Sequence, residues 1–212
     1  MPGHDFKRPR RPAMLGPATA EAIVGDEDPA ASSALAHSSA WALMGVGDED
    51  FDIEAIGRLH ALVRGSGVDA IAHLWARSPE FTLPGALWRL YLLVEWCERD
   101  KALARALYDA GTRADIVPGL ERPLEVRPLE SILDEAEALL RGDLSDDELD
   151  HVLVQASIAL RLLAAGEGGN GDWITDPNDP LAHAVTTRAR AFLATAEELD
   201  IAAREARVGA LD

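Results

Sequence analysis

The chain has 212 residues, 48% of them hydrophobic but only 5% aromatic. It can therefore bury one sizeable core, and its Ala- and Leu-rich apolar mass favours helix over sheet. The formal net charge of −17 divides unevenly: residues 1–12 carry Lys7, Arg8, Arg10 and Arg11 against Asp5, a net +3, which leaves −20 for the rest. A body this acidic repels phosphate backbones and anionic lipid, which disfavours nucleic-acid and membrane partners and leaves basic protein partners, or simple solubility, as the readings its charge fits.

Residues 1–16, Pro-rich and basic, read as a flexible arm, with residues 17–212 as a single helical domain. The arm contains a twin arginine, Arg10 and Arg11, but Gly16, Pro17 and Glu21 interrupt the apolar stretch that an export signal needs. "GPATAEAIVG" reads as a short helix ending at Gly25. Asp28 before Pro29 marks the start of a helix over about 29–44. Phe51, Ile53, Ile56, Leu59, Leu62 and Val63 recur at spacings of three and four and predict a helix over about 51–64. A shorter one follows over 68–77, and then a Pro-punctuated break with Thr82 as a cap.

From Leu83 the pattern predicts a long helix to Ala110, with Gly111 just past its end. Residues 112–127 form an irregular connection with two prolines. A helix is predicted over about 129–141, and another starts after the 142–148 segment, where Ser145 and Glu148 stand in capping-box spacing, and runs to Ala165. A Gly/Asp/Pro loop precedes a last helix over about 179–207. The expected fold is all-α, a bundle of about seven helices around helix 83–110.

Within that helix, "LPGALWRLYLLVEWCERD" is apolar on nearly every side. At 100° per residue, Trp88, Leu90, Tyr91, Leu92, Leu93, Val94, Trp96 and Cys97 occupy the whole circumference, and only Arg89 and Glu95 interrupt the ring. The run is too short and too charged to span a bilayer. It reads as a helix buried on all sides. Its single cysteine excludes an intramolecular disulfide framework, packs there as a small hydrophobe and fits a reducing cytoplasm. Glu95 can reach Arg99 on its own helix, but Arg89 needs a carboxylate from another one. The alternative is a ligand pocket formed by Trp88, Arg89, Tyr91 and Glu95.

No dinucleotide fingerprint, Walker sequence, C-x-x-C pair or nucleophile elbow is present. Glu148 and His151 form a single Glu-x-x-His motif where a carboxylate-bridged di-metal bundle needs two, so no metal and no cofactor is expected. Trp173, in polar surroundings, either folds back on the core or contacts a partner. Arg8, Arg10 and Arg11 are the other candidate partner-binding residues, and with Phe6 they make a weaker nucleic-acid alternative. The 83–100 segment and the Arg- and Ala-rich composition resemble uncharacterised all-helical proteins of high-GC Gram-positive bacteria, which implies a helical fold and a cytoplasmic bacterial setting. The expected role is a non-catalytic interaction or regulatory protein acting through its acidic surface on an unknown, basic partner, or paired as a homodimer through its Ala-rich helices. A ligand-binding or enzymatic bundle is the alternative.

Overall fold

A computed structural model describes residues 28–47, 51–121, 123–169 and 171–211. Its described residues form eight α-helices and no named strand: α1 (Pro29–Leu43), α2 (Ile53–Ser66), α3 (Asp69–Trp75), α4 (Leu83–Arg99), α5 (Lys101–Arg113), α6 (Leu129–Leu140), α7 (Leu149–Gly166) and α8 (Ala191–Arg207). The protein is an all-α multi-helix bundle. The basic arm and the short helix expected before Gly25 lie outside the described residues.

Local chemistry sets most helix starts. Asp28 accepts from Ala30 N at 3.0 Å, Asp52 from Ala55 N at 2.8 Å and Thr82 from Gly85 N at 3.2 Å. Each side chain satisfies an N–H that the first turn leaves without a helical partner. Ser145 and Glu148 pair as their spacing predicts, with the Ser145 N–H and hydroxyl donating to Glu148 Oε2 at 3.0 and 2.6 Å. A single 3₁₀ turn, Asp146–Glu148, then leads into α7.

The long helix expected over 83–110 is two helices. Asp100, at φ −141° and ψ 75°, ends α4 and caps α5, accepting from Leu103 N at 2.9 Å. Nor does the last helix begin near 179. Over residues 179–190, side chains compete for the backbone groups a helix would use. Thr186 Oγ1 donates to the Leu181 carbonyl at 2.7 Å and accepts from His183 N at 2.9 Å, and Thr187 Oγ1 donates to the His183 carbonyl at 2.9 Å. Arg190, left-handed at φ 54°, then turns the chain into α8.

The buried apolar side chains of all eight helices join in one core. Helix α4 packs against α1, α3, α5, α6, α7 and α8, the central place its apolar circumference predicts. Helix α7 is a second buried axis that periodicity alone did not single out; it packs between α5, α6 and α8. Together with the 3₁₀ turn it forms the one helix among the described residues long and apolar enough to cross a membrane, and 61% of that window is buried inside the bundle.

Helices α5 and α7 approach to backbone contact. A Cβ on Gly111 would sit 1.9 Å from the Leu162 carbonyl oxygen, and one on Gly166 1.9 Å from that of Leu107. Gly111 is thus a crossing residue inside α5, not the terminator its position suggested. In α2 the periodicity overstated burial: Leu59 and Val63 face the core, whereas Ile53 is 90% exposed and Leu62 is also exposed.

Candidate functional site

The carboxylate that Arg89 requires comes from α8. Arg89 is 4% exposed; its Nε donates to Glu198 Oε2 at 2.6 Å and a terminal nitrogen donates to the Gly85 carbonyl at 2.8 Å. Glu198 also receives Arg188, at 2.7 and 2.8 Å, and Arg188 reaches Thr195 Oγ1 at 3.1 Å. Burial by itself would raise the Glu198 carboxyl, but hydrogen bonds from Arg188 and Arg89 hold it below the ordinary range. Two guanidinium groups on one carboxylate, linking α4, α8 and the 171–190 segment, make a structural clamp.

Glu95 lies six residues from Arg89, about 9 Å along the helix and about 120° round it. Among the described residues the two share no hydrogen-bond or ion-pair partner. Arg99, the partner expected for Glu95, instead donates to both oxygens of Asp179, at 2.5 and 2.9 Å. Glu95 faces other carboxylates: burial pushes its carboxyl up, and Asp69, Glu98 and Glu137 push it further, with Arg99 opposing them. Tyr91, half-buried between the two, donates its hydroxyl to Asp69 and stacks on Trp88 at 5.3 Å, while His183 meets Trp88 edge-on at 5.2 Å. Burial and the charge of Arg89 hold His183 below its usual range. Of the four residues expected to form a pocket, then, Trp88 and Tyr91 touch, and Arg89 and Glu95 belong to separate clusters.

Trp173 folds back on the core. It is 5% exposed, packs against Phe192 at 5.0 Å and Trp96 at 6.1 Å, and its carbonyl accepts from Trp96 Nε1 at 3.0 Å. Arg8, Arg10 and Arg11 lie outside the described residues. His151 sits beside Arg127 at 3.2 Å rather than with a second histidine, and among the described residues no group of three metal-binding side chains converges. Cys97 is 1% exposed, and burial, helped by Glu98, pushes its thiol up to about 12, so it packs rather than reacts.

A second arrangement was not singled out from sequence. The facing walls of α4–α5 and α6 enclose a cleft of about 160 Å³, floored by Cys97, Ala104, Leu129 and Leu133. Its rim carries Glu98, Glu130, Asp134 and Glu137. Three of these have cations beside them: Lys101 at 2.7 Å from Glu98, Arg105 at 2.6 Å from Glu130 and Arg141 at 2.9 Å from Glu137. The acidic surface continues from Glu98 and Glu137 through Glu95 to Asp69. Spacings of four and three place Glu130, Asp134 and Glu137 on one face of α6, a signal present in the sequence. Only the fold brings α4 opposite it.

Compared with protein-family models, curated proteins and solved structures, the chain matches none.

Proposed function

We propose that this protein is a non-catalytic interaction or regulatory module that binds a basic protein segment through the acidic face of α3, α4 and α6. The observation that carries the reading is the charge balance of that face: Asp69, Glu95, Glu98, Glu130, Asp134 and Glu137 stand against Lys101, Arg105, Arg141 and an Arg99 already held by Asp179. Like charges gathered on a partly desolvated surface repel one another, and a cationic partner relieves that repulsion on docking. The buried arginines, by contrast, are occupied within the fold, Arg89 by Glu198 and Arg161 by Asp200, each at 2.6 Å. On this reading the protein works in the reducing cytoplasm.

The test is native mass spectrometry on protein purified gently from its own host, wild type beside the charge-reversed Glu130→Lys/Asp134→Lys. Both positions are exposed, so the variant keeps the fold. A second polypeptide held by the wild type and released by the variant supports the proposal. A bound small molecule or metal in place of a polypeptide, or a polypeptide held equally by both proteins, overturns it.

A further inference from the structure

The cleft between α4–α5 and α6 has a property that charge alone does not require: its floor is apolar. Cys97, Ala104, Leu129 and Leu133 are all under 10% exposed, and apart from a thiol they offer no group to orient a polar ligand. Its volume of about 160 Å³ is small. Pockets for whole small molecules span roughly 300–1,000 Å³, so this one is sized for a single inserted side chain. Above the floor, Asp134 has no ion-pair partner among the described residues. The pairs Lys101–Glu98 and Arg105–Glu130 are solvent-exposed on both sides, so they are weak and an incoming cation exchanges with them readily.

Resting on the interaction reading above, we infer that the cleft docks a basic amphipathic helix of a partner protein, with one apolar side chain seated over Cys97 and Leu133 and flanking arginine or lysine side chains meeting Asp134, Glu130 and Glu98. The chemistry selects this occupant. A nucleic acid or an anionic lipid surface meets a repulsive rim. A polyamine satisfies the rim and leaves the apolar floor wet. A helix with an apolar stripe between cations covers both at once, the mode in which an amphipathic helix lays its apolar face into a groove. Two α-helical walls, α4–α5 and α6, frame the site on rigid elements, so docking needs little rearrangement.

The experiment measures fluorescence anisotropy of three labelled peptides against the full chain. One is a Leu/Arg peptide patterned as an amphipathic helix; the second replaces its leucines with alanine; the third is an all-Arg peptide of equal charge. The leucine peptide is expected to bind at least about tenfold more tightly than either control, the scale on which a buried anchor counts in a small interface. Glu130→Lys/Asp134→Lys is expected to weaken it by at least about tenfold, with an unchanged helical circular-dichroism spectrum and thermal midpoint. Equal binding by the all-Arg peptide overturns the anchor while leaving the acidic-face proposal standing. Binding of the leucine peptide that the charge reversal does not weaken places the site elsewhere and overturns the cleft, and so does failure of all three peptides to bind. The host-purified complex, measured separately, reports on the broader proposal.

Discussion

Replacing Gly111 by alanine tests the packing at the heart of the bundle, because general helix propensity and this structure give opposite answers. On propensity alone the change stabilises a helix interior by about 1 kcal/mol. Here the added Cβ lands 1.9 Å from the Leu162 carbonyl oxygen and 2.6 Å from its carbon, where contacts under 3.0 Å are essentially never seen. The obstacle is backbone, so no rotamer change relieves it, and α5 must move off α7. That movement loosens the packing of residues buried on these two helices, among them Ala104, Tyr108 and Leu162. Overpacking of this kind costs typically about 1–3 kcal/mol and sometimes more. With an unyielding backbone the upper end applies, and the propensity gain offsets about 1 of it, leaving a net loss of about 2 kcal/mol. For a chain of this size, that lowers the thermal midpoint by roughly 4–8 °C. Gly57 in α2 is the internal control: a Cβ added there would meet nothing within 4 Å. Gly57→Ala therefore stabilises by up to about 1 kcal/mol. Urea and thermal unfolding of both variants decide the matter. A Gly111→Ala protein as stable as wild type, or stabilised alongside Gly57→Ala, refutes the close crossing of α5 and α7.

Four further outcomes are expected. Glu198→Gln removes the charge that buried Arg89 shares with the partly exposed Arg188, and costs about 3 kcal/mol in urea unfolding, the lower end of the range for breaking a buried ion pair. The pH dependence has two opposite contributions. Glu198 is depressed below its unfolded value of 4.5, so its stabilisation is present at neutral pH and is lost as pH falls through that value toward the folded one. Glu95 is raised above 4.5, so its charged form destabilises the fold at neutral pH and that cost fades as pH falls through the raised value; Glu95→Gln accordingly raises the urea midpoint at pH 7 and changes it little at pH 4. Asp100→Ala removes the cap of α5 at a cost of about 1 kcal/mol by thermal unfolding, without fusing α4 to α5. Cys97 stays silent to a thiol-specific chromogenic reagent in the native protein and reacts fully in denaturant; rapid native labelling contradicts its burial.

What the sequence made legible was local or periodic. Asp28, Thr82 and the Ser145–Glu148 pair announce helix starts because a cap is a contact between near neighbours. The apolar circumference of residues 83–97 announced a buried helix, and with it the need of Arg89 for a carboxylate from elsewhere. What stayed hidden depends on long-range geometry or on side chains overriding a pattern. The apolar periodicity runs unbroken through Asp100, and only the backbone turn there reveals two helices. The 179–190 segment carries helix-compatible residues, but Thr186, Thr187 and Asp179 spend the backbone groups on local bonds. Arg99 passes over its near neighbour Glu95 for Asp179, 80 residues away. Gly111 reads as a helix end because sequence cannot show that it lies against the backbone of the other helix at Leu162. Half of the acidic cleft was readable as the 130, 134 and 137 spacing on α6, and the other half depends on α4 and α5 folding against it.

The most direct measurement of the central claim is hydrogen–deuterium exchange on the host-purified complex beside the free chain. The acidic-face reading predicts that the bound polypeptide slows exchange in residues 95–105 and 130–137 and leaves α7 and α8 unchanged. Protection confined to α7 and α8, or none along α4, α5 and α6, contradicts it.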